Sequence, residues 1–420
     1  MSRRAILWVV FALVHVTVAL LGFILPNQPM GDVYLVYEPW SGCALFGTSG
    51  YCGAGGHEIV GLTSQWVYPQ LALLPMLATW AFAWIDGYIV AWAIVVTLVD
   101  AAAFAVLVGR GRSSGRRMAA WFWLAFIALL GPVGMYRLEG ISVPLAIVGS
   151  LWLVRRPWLG SVLLSIATWI KVWPAAVIAA AVIVVRRRFA VIGGALIVSV
   201  VTLGVVFAFG GGKYAFGFIG DQAGRGLQIE APVSALYLWR AIAGSRDAWI
   251  YYDTDMLTYQ ATGPNVDAVI AVMTPLMAIA VAGVALLGAW KVRRGAGFAA
   301  VFPALSFALV LAFIVFNKVG SPQYIAWIAA PVIVGLVLRR ERWLVPAVGL
   351  LIIAALTQLV YPTLYNLVLA LDPVAVGLLT LRNVLLIALF VWSVVALAGA
   401  STWSKSPSER AEASGFIRAG

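Results

Sequence analysis

The residues that could do chemistry fall in a few short polar stretches between long apolar runs. The first is Met30-Gly31-Asp32-Val33-Tyr34-Leu35-Val36-Tyr37-Glu38-Pro39-Trp40. A carboxylate among aromatics there could serve as a general base or bond sugar hydroxyls, and Asp32 and Glu38 are the two options. A helix cap or a solvated loop acid is the plain alternative. Tyr68-Pro69-Gln70 comes next, where proline near a helix start is by itself uninformative. Tyr136-Arg137-Leu138-Glu139-Gly140 forms a turn in which Arg137 and Glu139 could simply pair. Ile170-Lys171-Val172-Trp173-Pro174 sets a lysine between two apolar runs, as a functional charge or as one snorkelling to headgroups. Arg225-Gly226-Leu227-Gln228-Ile229-Glu230, Asn317-Lys318-Val319-Gly320-Ser321-Pro322-Gln323-Tyr324 and Arg382-Asn383 complete the set.

Lys171, Arg225, Lys318 and Arg382 share one feature: they break the charge trend of the loops described below. Four cations gathered at one membrane face imply an anion. Arginine and lysine suit phosphate, as a fork and as a point charge respectively. In a membrane, that points to a phospholipid or an isoprenoid phosphate. The alternative is that each cation pairs with a loop acid or an anionic headgroup. Tyr34, Tyr37, Trp40, Tyr68 and Tyr324 could stack on sugar faces or anchor at the interface. Asp100 lies inside an apolar run and reads best as a buried aspartate bonded to a neighbouring helix. Cys43 and Cys52 share one polar loop, where a disulfide and two free thiols stand equal; the bond requires an oxidising compartment. The only histidines are His15 and His57, so no metal-type spacing exists and no metal is expected.

The elements that must position these residues are membrane helices. The chain has 420 residues, 63% hydrophobic and 10% charged, with a mean hydropathy of +0.99. No soluble fold hides that much apolar surface, so lipid is the main solvent. Apolar runs at about 5–26, 88–109, 118–136, 141–154, 157–170, 172–185, 189–209, 266–290, 297–316, 323–338, 343–361 and 375–400 give about twelve expected spans, some short enough to be tilted or broken. The net charge of +12 does not signal nucleic acid, because the basic residues are spread in clusters between spans. Arg3/Arg4, Arg110 to Arg117, Arg155/Arg156, Arg186 to Arg188, Lys291 to Arg294 and Arg339 to Arg342 fall on one side if the spans alternate, which makes that side the cytoplasm. Both termini then lie inside, and residues 401–420 form a disordered tail. The first run has no small-residue cleavage site and reads as an uncleaved helix. Residues 67–84 would upset the charge alternation as a span, so they are expected to lie in the outer interface. The loops 27–87 and 210–265 build the active face of a single domain over residues 1–400. No internal repeat is visible.

In their order and shared side, these motifs resemble the multi-spanning glycosyltransferases of the GT-C fold, and most closely glycosyltransferase family 87, polyprenol-phosphate-mannose-dependent mannosyltransferases. The matching residues are Asp32, Tyr68-Pro69, Lys171 to Pro174, Arg225 to Glu230 and Asn317 to Tyr324, spread over residues 30–385. The last stretch is also similar to the corresponding turn of eukaryotic GPI mannosyltransferases. The family often has Tyr-Pro-Pro where this chain has Tyr68-Pro69-Gln70, and an aspartate where it has Glu139.

The resemblance implies transfer of a sugar, mannose by expectation, from a polyprenyl phosphate to a lipid-linked acceptor such as a phosphatidylinositol mannoside. The site would face outward from a bacterial cell membrane. Asp32 would be the catalytic base. Lys318, Arg382, Lys171 and Arg225 would hold the donor phosphate. Tyr34, Glu38, Tyr68, Gln228, Glu230, Gln323 and Tyr324 would contact sugar or acceptor. A phosphate ester is already a good leaving group, so no cofactor is expected. The rival readings are a transferase for another sugar such as arabinofuranose, a lipid or solute transporter, and a non-catalytic assembly partner. A transporter should carry polar residues near the midplane, where this chain has Asp100.

Overall fold

A computed structural model describes residues 2–53, 56–254 and 256–400. The expected tail, 401–420, lies outside the described residues. The fold is almost wholly helical. The first third of the chain supplies α1 (Arg3–Ile24), α2 (Glu38–Phe46), α3 (Leu73–Thr79), α4 (Gly87–Val108), α5 (Ser114–Leu130), α6 (Pro132–Met135) and α7 (Glu139–Trp152). The middle adds α8 (Pro157–Ile170), α9 (Ala175–Val184), α10 (Arg188–Ala208), α11 (Gly217–Ala223) and α12 (Ala235–Ile242). The last part is α13 (Val266–Arg293), α14 (Phe298–Val315), α15 (Ala329–Arg339), α16 (Leu344–Gln358), α17 (Tyr365–Leu369) and α18 (Pro373–Ala398). One antiparallel hairpin, β1 (Trp249–Asp253) with β2 (Thr258–Thr262), interrupts the helices.

Local chemistry sets the helix starts. Ser2 accepts a hydrogen bond from the Ala5 amide at 3.2 Å, and Ser113 one from the Arg116 amide at 3.3 Å. Asp372 accepts from the amides of Val374 and Ala375, with Pro373 in the first helical position.

Seven helical stretches among the described residues are long and apolar enough to cross a membrane: α1, α4, α10, α13, α14, α18 and the segment Pro322–Thr363 that contains α15 and α16. Their outward faces confirm the solvent. Val272, Leu276, Ile279 and Leu286 of α13 are all exposed, and only 11% of that helix's apolar window is buried, against 78% for the central helix α14. An all-round apolar helix on the periphery is stable only in lipid. The chain is therefore a mostly helical, membrane-embedded protein.

The expected twelve spans each coincide with a helix, but not all are full crossings. Helices α7 and α8 have 14 residues each and α9 has 10. At about 1.5 Å per residue, 14 residues span about 21 Å, short of the roughly 30 Å hydrocarbon core. Helices α7 and α8 instead pack tightly on each other. A side chain at Gly149 would run into the Gly160 carbonyl, and one at Gly160 into that of Gly149. Residues 67–84 fold as the short helix α3 with single turns on either side, so they do not form a long crossing helix.

Candidate active site

The helix ends opposite the arginine clusters enclose one large cavity of about 1230 Å3. Asp32, Tyr68, Lys171, Arg225, Gln228, Glu230, Lys318, Gln323 and Tyr324, scattered over nearly 300 residues of sequence, all line it.

Asp32 is placed by the turn that leaves α1. Asn27 and Gln28 both adopt left-handed backbone angles there. The Asn27 amide group donates to the Pro362 carbonyl at 2.8 Å, and the Tyr361 hydroxyl donates to the Asn27 carbonyl at 3.1 Å. These bonds tie the turn to the segment between α16 and α17. Asp32 then faces Arg137, whose guanidinium donates to its carboxylate. This overturns the simple pairing of Arg137 with Glu139. Glu139 instead accepts from Lys171 at 3.3 Å and from the Trp327 indole at 3.0 Å. The Lys171 ammonium also sits 4.5 Å above the Tyr68 ring, a favourable cation–π distance. Burial disfavours charge on Lys171, but Glu139 beside it prevails and holds its pKa above the ordinary lysine range.

A second arm of the cavity is built by close backbone approach. The Gln228 amide donates to the Lys318 carbonyl at 3.0 Å, joining the Arg225–Glu230 segment to the Asn317–Tyr324 turn. Gly320 makes this contact possible, since any Cβ there would land inside the backbone of Glu230 and Ala231. The hairpin closes the same arm: the Ile229 amide donates to the Tyr259 carbonyl at 3.2 Å and the Ala261 amide to the Leu227 carbonyl at 2.8 Å. Beneath it, Leu227, Ile229, Tyr237 and Leu238 pack with Val376 and Leu379 of α18 in a small separate core.

Several expectations change here. Arg382 is 2% exposed and does not line the cavity. Its guanidinium donates to the Glu230 carboxylate at 2.6 Å, the Glu230 carbonyl at 2.8 Å and the Asn383 side chain at 2.9 Å. It is a brace for Glu230 rather than a phosphate ligand, because its fork is already filled by oxygen acceptors. Tyr34 and Glu38 also lie off the cavity wall: they occupy the helical stretch after Asp32, whose other face is turned away. Burial raises the pKa of Glu38 above the usual carboxylate range. Cys43 and Cys52 are joined in a disulfide. Asp100 accepts from the Trp123 indole at 2.9 Å and meets His15 at 3.0 Å, the interhelical role its position suggested.

Other cavity residues were not singled out in the sequence. Tyr324 stacks on Trp327 at 4.0 Å between ring centres, and Trp327 lies parallel to Trp173 at 6.0 Å. Tyr361 and Tyr365 stand edge to face at 5.0 Å. Trp173 lies within a stretch that drew attention for its lysine; Tyr361 and Tyr365 carried no local signal.

The cavity wall thus carries the cations Arg137, Lys171, Arg225 and Lys318 against the acids Asp32 and Glu230. Burial lowers the pKa of Lys318, and the Arg225 Nε is buried with no hydrogen-bond partner among the described residues. A positive excess in a chamber walled by aromatic and apolar side chains is suited to an anionic, partly apolar ligand. Fold and site together define a polytopic helical membrane protein with a basic cavity at its loop-bearing end. No family model matches the chain, and no curated protein matches it significantly.

Proposed function

We propose that the chain is an inverting glycosyltransferase of the GT-C type that moves a sugar, mannose on the family resemblance, from a polyprenyl phosphate to a glycolipid acceptor on the outer face of the membrane. The observation that carries this reading is the convergence of Asp32 with Arg225, Lys318 and Lys171 around one cavity. At about 1230 Å3 it exceeds the usual range of roughly 300–1,000 Å3 for a single small ligand, which suits two substrates at once. The arginine-rich helix ends would face the cytoplasm and the cavity the outside. With Pro322–Thr363 counted as two, α5 of 17 residues and the short helices α7, α8 and α9 would complete the expected twelve spans, the short ones as tilted or partial crossings.

In this mechanism the Asp32 carboxylate accepts the proton of an acceptor hydroxyl as that oxygen attacks the anomeric carbon. The bond from that carbon to the phosphate oxygen breaks, and its electron pair leaves with the polyprenyl phosphate. One displacement inverts the anomeric centre. Arg225 and Lys318 stabilise charge growing on the departing phosphate. Arg137 fixes the direction of the Asp32 carboxylate. Lys171 contributes positive field while locked to Glu139, and Arg382 acts only through Glu230. One carboxylate suffices, unlike the two of a glycoside hydrolase.

Purified protein, supplied with radiolabelled polyprenyl-phosphate-mannose and a total lipid extract, should form a new labelled glycolipid, with or without chelator. Label that stays in the donor, for mannose and for every other lipid-linked sugar tried, would count against the transferase class. Uptake of unmodified substrate into proteoliposomes would then favour a transporter.

A further inference from the structure

At the opposite end of the bundle, three arginines far apart in sequence meet. Arg3 opens α1, Arg117 lies in the first turn of α5, and Arg340 follows α15. Together they ring a separate pocket of about 260 Å3. Ile6, Leu7 and Trp121 form its apolar side. Ile6 and Trp121 are 40% and 43% exposed, so the pocket is open along the lipid-facing flank of α1 and α5.

Loop arginines that merely mark the cytoplasmic side need no convergence. These three come from three separate elements, and like charges brought together repel. Among the described residues neither Arg3 nor Arg117 forms an ion pair. Arg340 reaches only Glu341, at 3.6 Å with both side chains well exposed, a pairing worth little. Arg117 donates to the Gly111 carbonyl at 3.1 Å, which anchors its guanidinium at the pocket. A bound anion would relieve this charge, and guanidinium forks match phosphate oxygens. The apolar wall beside the charges adds a second requirement that a soluble phosphate does not meet. Basic pockets between membrane helices are suited to anionic lipid headgroups.

We propose that this pocket binds the phosphate of an anionic phospholipid, with one acyl chain lying along Ile6 and Trp121. The site lies at the other end of the bundle from the charged cavity and does not depend on the transferase reading.

The test is native mass spectrometry of the full chain in detergent, titrated with phosphatidylglycerol or phosphatidylcholine. Phosphatidylglycerol should bind in preference, and binding should weaken about fivefold for each of Arg3→Gln, Arg117→Gln and Arg340→Gln, the effect of one basic residue near an anionic lipid. The triple substitution Arg186→Gln/Arg187→Gln/Arg188→Gln, outside the pocket, should leave it unchanged. Arg3→Gln touches only the first turn of α1, so it remains informative if the other variants fail to fold. Unchanged binding by Arg3→Gln, equal binding of phosphatidylcholine, or displacement of the lipid by millimolar inorganic phosphate would each overturn the proposal, the last by making the site one for a soluble anion.

Discussion

At the residue scale, the cavity sorts its cations by what already occupies them. Arg382 serves Glu230, Arg137 serves Asp32 and Lys171 serves Glu139. Each arrangement follows from the cost of burying a charge without a partner, which exceeds the worth of the pair itself. At Lys318, burial lowers the pKa. Its ammonium is present below that lowered pKa and lost as pH rises through it. If it holds the donor phosphate, kcat/KM for donor should fall on the alkaline side at a lower pH than an ordinary lysine would give. Lys318→Arg, which stays charged, should remove that fall. A profile unchanged by this substitution would take Lys318 out of donor binding. The candidate residues were legible as types: carboxylates and cations out of place in apolar sequence. Their pairings were not, since Arg137 and Glu139 are sequence neighbours whose side chains reach partners 105 and 32 residues away.

At the element scale, the site depends on two irregular segments meeting backbone to backbone. The Asn317–Tyr324 turn and the Arg225–Glu230 segment carry both proposed phosphate ligands, and Gly320 sets their spacing. Gly320→Ala must push them apart, since backbone rather than a flexible side chain occupies the space. Transfer activity should drop by about a hundredfold, the scale expected when a positioned group moves by about 1 Å. A Gly320→Ala protein with wild-type activity would show that the two segments do not act together. Helix positions were readable in the sequence because apolar runs mark them directly. Helix lengths were not fully readable: α7 and α8 are joined through Gly149 and Gly160, and a glycine contact leaves no trace in hydropathy. The hairpin β1–β2 was not anticipated either. Its strands Trp249–Asp253 and Thr258–Thr262 are only five residues each, inside a long polar loop.

At the scale of the whole molecule, the loop arginines around Arg3, Arg117 and Arg340 and the large cavity occupy opposite ends of one bundle. Three of the arginine clusters expected on one side do meet there, around Arg3, Arg117 and Arg340. The Cys43–Cys52 disulfide lies in the loop that carries Asp32, and disulfides persist in oxidising compartments. In intact cells, a membrane-impermeant maleimide should therefore label these cysteines once a membrane-impermeant reductant has been added. Labelling that appears only after the cells are permeabilised would invert the orientation and place the cavity inside. The gathering of Arg3, Arg117 and Arg340 at one end of the bundle was legible from the loop charges. The cavity was not, because it forms only when loops drawn from the whole chain close over the same helix ends.

The central claim is that Asp32 is the base of a sugar transfer. The most direct measurement compares wild type with Asp32→Asn in the radiolabelled lipid transfer assay, with thermal melting to show that both are folded. A positioned general base contributes about 10²–10⁴-fold to rate, so the folded variant should lose at least a hundredfold in glycolipid formation while still binding donor. Transfer by Asp32→Asn within a few-fold of wild type would contradict the assignment of the base.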